Sequence, residues 1–140
     1  MIIKPMINVA CAIIYRENGD ILLCKRTSLS LFPNKWEFPG GKSEENELPI
    51  QTVFREIYEE LSIIPNNASL FHSATYSYPN SISVHLSFFT ITSWQGTLQN
   101  NVWSEIQWVP VHSLHLYDIL EGNKDVILLL QHLNQKLLIS

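Results

Sequence analysis

From Pro39 to Ile63 the chain reads PGGKSEENELPIQTVFREIYEELSI, and few folds can accommodate such a segment. On an α-helix, Glu56, Glu59 and Glu60 fall at i, i+3 and i+4, so three carboxylates share one face. Ile50, Val53, Phe54, Ile57 and Leu61 form an apolar stripe on the opposite face. A helix divided this way packs one side on a core and holds its acidic side outward. Pro49 suits the first turn, where its missing N–H costs nothing, so the expected helix runs from Pro49 to Leu61. Gly40-Gly41, just before it, lets backbone approach a ligand closely or adopt positive φ.

Carboxylates at that spacing repel one another unless a cation sits among them. Clustered hard oxygen ligands suit Mg²⁺ or Mn²⁺, ions that usually hold substrate phosphates as well. An isolated ExxEE is more simply a solvated acidic face. Here the apolar stripe and the glycine turn favour a metal.

At 140 residues the chain is expected to form one domain, residues 1–140. Six of its 13 acidic residues lie between Glu44 and Glu60, so the acidity is local. A net charge of −4 gives no basic footprint for a nucleic-acid polymer. An acidic protein acting on an acidic substrate needs a metal bridge, which the glutamates supply. No stretch approaches membrane-spanning length, and Met1-Ile2-Ile3-Lys4-Pro5 does not read as a signal peptide. The expected setting is therefore cytoplasmic, with a small molecule as partner and neither membrane nor polymer involved. Cys11 and Cys24 sit in apolar runs and are expected to be free, buried thiols.

Ile7–Tyr15 and Ile21–Arg26 flank Asn18-Gly19, a hairpin signal. Ser69–Ser77 and Ile82–Ser93 bracket Pro79-Asn80 and suggest a second hairpin, while Glu105–Val109 reads as another strand. A last helix is expected from about Lys124 to Leu137, with Val126, Leu129, Leu130, Leu133 and Leu137 as its core face. Strands covered by helices imply an α/β sandwich around a mixed β-sheet. The five histidines show no zinc-ligand spacing, and the four tryptophans are expected in the core.

Gly41, Glu47, Arg55, Glu56, Ile57, Glu59, Glu60 and Ile63 fall in the register of the Nudix box, GX5EX7REUXEEXGU with U aliphatic, and the segment resembles that box. Ser62 stands where the box ends its helix with glycine, a substitution that puts helix termination in question more than chemistry. The resemblance implies a Nudix-type α/β/α sandwich over essentially the whole chain. It also implies a metal site, Mg²⁺ with Mn²⁺ possible, made by Glu56, Glu59, Glu60 and the Gly40 carbonyl. Glu47 and Arg55 would support that site as a charge-assisted pair. Glu56, Glu60 and Glu105 compete for the role of general base, with Glu105 also open as a plain surface charge. Lys42, beside the glycine turn, could hold phosphate.

The flanks, Lys25-Arg26 and Asn34 through Lys42, resemble the MutT branch of that family. That resemblance implies 8-oxo-dGTP as substrate, hydrolysed to the monophosphate and pyrophosphate in nucleotide-pool sanitation. Arg26 and Phe38 would line the nucleotide pocket. Asn123 would read the guanine edge, or alternatively cap the following helix. Gly96-Thr97-Leu98-Gln99 resembles the CTP pyrophosphohydrolases instead, so CTP or dCTP stays open. A non-catalytic nucleotide-binding module is the alternative of another class. The functional unit is expected to be a monomer or a homodimer.

Overall fold

The computed structural model describes residues 6–79 and 82–139. The opening pentapeptide and Asn80 of the second turn, both read above, lie outside the described residues. β1 (Met6–Ile14) is central in a four-stranded mixed sheet with β4 (Gly40–Lys42), β7 (Ser83–Ile91) and β6 (Ser69–Ser77), in the order β4-β1-β7-β6. β1 runs parallel to β7 and antiparallel to β4, and β6 and β7 form the expected second hairpin. A smaller antiparallel sheet has the order β3-β2-β9, from Trp36–Glu37, Ile21–Lys25 and Glu105–Val109. β5 (Ile64–Pro65) and β8 (Trp94–Gln95) pair beyond the first helix.

The first turn departs from the hairpin expectation. Asn18-Gly19 does turn the chain tightly, with Gly19 at φ 89° and its N–H donating to Arg16 O. Past the single bridge Tyr15–Ile21, however, β1 and β2 enter different sheets. Both edges of β1 are taken by β4 and β7, and both edges of β2 by β3 and β9. No ladder edge is left for the two to share.

α1 spans Pro49–Leu61 and α2 spans Lys124–Ile139, one on each side of the sheets. Ala10, Ala12 and Ile14 of β1 face α1, where they meet Val53, Ile57 and Leu61. Cys11 and Ile13 point the other way, into a core with Phe38, Phe88, Val126, Ile127 and Leu130. This is the α/β/α sandwich, and it explains why β1 reads as a continuous apolar run: both of its faces are buried. Cys11 and Cys24 are buried and free, and burial pushes both thiols well above their ordinary range. Trp36 is buried, while Trp94, Trp103 and Trp108 are only half-buried.

The amphipathic readings of both helices need adjustment. Ile50, in the first turn of α1, is 39% exposed. On α2, Val126, Ile127 and Leu130 are buried, whereas Leu133 and Leu137 are 39% and 75% exposed. Those two leucines line a groove of about 300 Å³ with Tyr15, Phe71 and Val111. Around Leu133 and Leu137 that groove is open to solvent.

Candidate active site

Two glycines set the site, each for its own reason. A Cβ on Gly40 would lie 2.1 Å from Ala10 O and 2.7 Å from Cys11 Cα, so side-chain-free backbone is needed for β4 to lie on β1. A Cβ on Gly41 would lie 2.7 Å from both carboxylate oxygens of Glu56. Gly41 is therefore the floor on which the Glu56 carboxylate rests.

Arg55 organises the other side. Its Nε and Nη2 fork onto Glu47 at 2.8 and 2.9 Å, and Nη2 also donates to the Lys42 carbonyl at 2.9 Å. Nη1 reaches Glu56 Oε1 at 2.7 Å and Glu59 Oε2 at 3.4 Å. One guanidinium thus ties the glycine strand, the connecting loop and the helix together, by a fork that lysine could not reproduce. Glu47 accepts further hydrogen bonds from the buried Thr52 hydroxyl (2.7 Å) and the Glu44 N–H (3.0 Å). Arg55, first, and these donors hold the Glu47 carboxyl down at about 2.

Glu60 is the opposite case. It is 8% exposed, accepts the Gly40 N–H at 3.2 Å, and meets Glu56 carboxyl to carboxyl. Burial, then the Glu56 charge, raise its proton affinity to about 9. A buried carboxylate in contact with a half-buried one requires a shared proton or a cation. Glu59 points outward, with its side chain 54% exposed. Among the described residues, no three His, Cys, Asp or Glu side chains converge as a ready-made cage. The donor set nevertheless fits a hard divalent ion: only oxygens, with the buried Glu60 and half-buried Glu56 carboxylates repelling each other, over a glycine that leaves room. Mg²⁺ needs only one or two protein carboxylates when water and phosphate complete its shell.

The remaining candidates divide into two groups. Phe38 is fully buried, edge-on to Phe88, and its N–H donates to Asn123 Oδ1 at 2.9 Å, with Asn123 only 2% exposed. Arg26 lies one strand away, its guanidinium donating to Glu37 and to the Leu31 carbonyl. Phe38 and Asn123 thus sit together, whereas Arg26 lies with Glu37 on the other face of β3. Lys42 is exposed, with no ion pair among the described residues. Glu105 is exposed. It pairs with Lys25 at the start of β9, and cross-strand partners share a face, so it shares one with Lys25 and Trp36. Ile106, Cys24 and Glu37 lie on the other face.

Three participants were not singled out from the sequence. Thr52 braces Glu47, and the half-buried Glu37 holds Arg26, its carboxyl pushed up by desolvation against the pull of that arginine. Asn101 bonds to the end of α1. Glu37 stood in view inside the Lys35–Phe38 run, whereas Asn101 has no local signal because its contacts are tertiary.

A mixed sheet between two helices, with a forked Arg-Glu pair and paired glutamates behind a glycine turn, defines a Nudix hydrolase site. Residues 4–130 match the NUDIX domain model, and the chain belongs to that family of enzymes. It is 34% identical over 127 residues to the 8-oxo-dGTP diphosphatase of Escherichia coli (strain K12), an overlap covering 91% of this chain and 98% of that enzyme. It is 36% identical over 103 residues to the CTP pyrophosphohydrolase of the same strain, covering 74% of this chain and 75% of that enzyme. The fold superposes on the crystal structure of a MutT protein from Methanosarcina mazei Go1 with a TM-score of 0.82, at 23% identity over 96% of this chain and 99% of that one.

Proposed function

We propose that this protein hydrolyses a nucleoside triphosphate to the monophosphate and pyrophosphate, with 8-oxo-dGTP as the preferred substrate. The observation that carries this reading is the similarity to an 8-oxo-dGTP diphosphatase across nearly the full length of both chains. The base site is consistent with it. With its oxygen engaged by the Phe38 N–H, Asn123 has its amide N–H₂ left as a donor suited to a purine O6 acceptor. Arg26 and Lys42 would bind and orient the nucleotide, the former held in place by Glu37.

Glu56 and Glu60, joined by Glu59 and the Gly40 carbonyl, would hold Mg²⁺ or Mn²⁺. Bound there, the ion would polarise a phosphoryl oxygen and neutralise charge on the departing pyrophosphate. Arg55 and Glu47 keep Glu56 at the glycine turn. We assign proton acceptance from the attacking water to Glu56 or Glu60, because their carboxyls meet at the glycine turn whereas Glu105 shares its strand face with Lys25 and Trp36. The site would serve the cytoplasmic nucleotide pool, as a single domain acting alone or as a homodimer. No described helix is long and apolar enough to cross a membrane.

The similarity to a CTP pyrophosphohydrolase favours a second reading, with CTP or dCTP as substrate. Pyrophosphate release across a panel of 8-oxo-dGTP, dGTP, CTP and dCTP decides between the two, with Asn123→Ala as the paired variant. We expect 8-oxo-dGTP to be fastest, and Asn123→Ala to lower its kcat/KM about tenfold or more while sparing CTP. Faster turnover of CTP or dCTP by the wild type would replace the purine reading with the pyrimidine one.

A further inference from the structure

We propose that Asn101 is a positioning residue for the metal-binding carboxylates, clamping the last turn of α1 from the loop between β8 and β9. This rests on the reading of Glu56, Glu59 and Glu60 as a divalent-cation site. The Ser62 N–H closes the final i→i−4 bond of α1, onto Tyr58 O at 2.9 Å. The carbonyls of Glu59, Glu60 and Leu61 then have no partner inside the helix. The loop supplies one to each: Asn101 Nδ2 to Glu59 O at 3.0 Å, Asn101 N–H to Glu60 O at 3.0 Å, and Gln99 N–H to Leu61 O at 2.9 Å.

Asn101 alone satisfies two of the three, and they belong to the residues that carry the carboxylates. The same amide also donates to Ser62 Oγ at 2.8 Å. Ser62 sits at φ 61°, a left-handed conformation that glycine would adopt more readily. Its hydroxyl gives the loop amide an acceptor that glycine lacks. The end of α1 is thus fixed by a residue about forty positions further on in sequence.

Asn101 is exposed, so water can take over its hydrogen bonds when it is removed. Little stability is lost in that exchange. Direction is lost instead: a fraying last turn swings Glu59 and Glu60, and an ångström of misplacement is costly at a reacting centre. A positioning role therefore predicts damage to metal binding and turnover out of proportion to damage to the fold.

The test is Mn²⁺ binding, followed by the electron paramagnetic resonance of the free ion, alongside kinetics and melting. Asn101→Ala is expected to weaken Mn²⁺ binding about tenfold, as outer-shell changes do, and to lower kcat by a similar factor. KM should stay within about threefold and Tm within roughly 3 °C. Asn101→Asp, of the same shape but presenting an acceptor to the Glu59 carbonyl while keeping the backbone bond to Glu60 O, should do no better. Asn66→Ala, which removes a 3.1 Å side-chain bond to Ser93 beside β5 and β8, should bind Mn²⁺ as the wild type does. Wild-type Mn²⁺ affinity in Asn101→Ala or Asn101→Asp overturns the proposal, as does a melting loss large enough to account for the defect. If the wild type binds Mn²⁺ but cleaves no nucleotide, the proposed function fails while the binding comparison still decides Asn101. A wild type that binds no Mn²⁺ refutes both.

Discussion

Substituting alanine for Gly41 isolates the placement of one carboxylate from the integrity of the fold. The added Cβ would sit 2.5 Å from Glu56 Cδ and 2.7 Å from both oxygens. Ordinary contact begins at about 3.5 Å, so the carboxyl must withdraw by roughly 0.8–1.0 Å. Gly41 is not at positive φ, so alanine meets no backbone strain there. What yields is the far end of Glu56, moved off its rotamer at about 0.5–1.5 kcal/mol. Reduced entropy of the unfolded chain returns about 0.4–1 kcal/mol. Net stability should change by no more than about 1 kcal/mol, a Tm shift of roughly 4 °C or less. Activity should respond far more. An ångström of misplacement costs on the order of 10²-fold in kcat/KM, equivalent to about 2.7 kcal/mol of transition-state stabilisation. Pyrophosphate release from 8-oxo-dGTP across a magnesium titration, beside a thermal melt, measures both quantities. Gly40→Ala is the contrast, because its Cβ meets backbone at 2.1 Å and must prise β4 from β1. A Gly41→Ala protein within threefold of wild-type kcat/KM would refute the claim that Glu56 acts from that spot.

Glu60→Gln is expected to cut kcat by about 10²-fold or more with the fold retained, while Glu59→Gln and Glu105→Gln cost less; a larger loss in Glu105→Gln returns the base role to that residue. Glu47 is a stability probe with a defined pH window. Its folded proton affinity is depressed to about 2, so its contribution is present above the ordinary carboxylate range and disappears as pH falls through it. Thermal melts of the wild type and Glu47→Gln should differ at pH 7 and converge between about pH 5 and 2. A difference independent of pH would mean that the Arg55 fork does not stabilise the charge.

What could be read from the sequence was what local periodicity controls. The bounds of α1 follow from Pro49 and the spacing of Val53, Ile57 and Leu61, and the same spacing gathers Glu56 and Glu60. The Arg55–Glu47 pair was legible because both residues belong to one motif. The partition of β1 and β2 was not, because a turn signal says where the chain reverses and not which edges are free. The exposure of Leu133 and Leu137 escaped for a related reason: an apolar stripe marks what could be buried, while the extent of the facing sheet decides what is. Asn101 is the extreme case, a polar loop residue whose role exists only where the loop meets the helix end.

Arg55 is a single positive charge shared among Glu44, Glu47, Glu56 and Glu59, and its fork is already filled by Glu47 and the Lys42 carbonyl. Glu60 receives nothing from it and faces Glu56 in a buried setting. Arg55 faces those four carboxylates and Glu60 adds a fifth, so the negative charge of this cluster far exceeds its one guanidinium. Burial first, and the adjoining Glu56 charge second, push the Glu60 carboxyl up to about 9, so a proton can offset part of that excess. A divalent ion answers the same demand more fully, and does so where an anionic phosphate chain must approach a protein whose net charge is −4. The acidity that should repel the proposed substrate is thus what recruits the ion that would receive it.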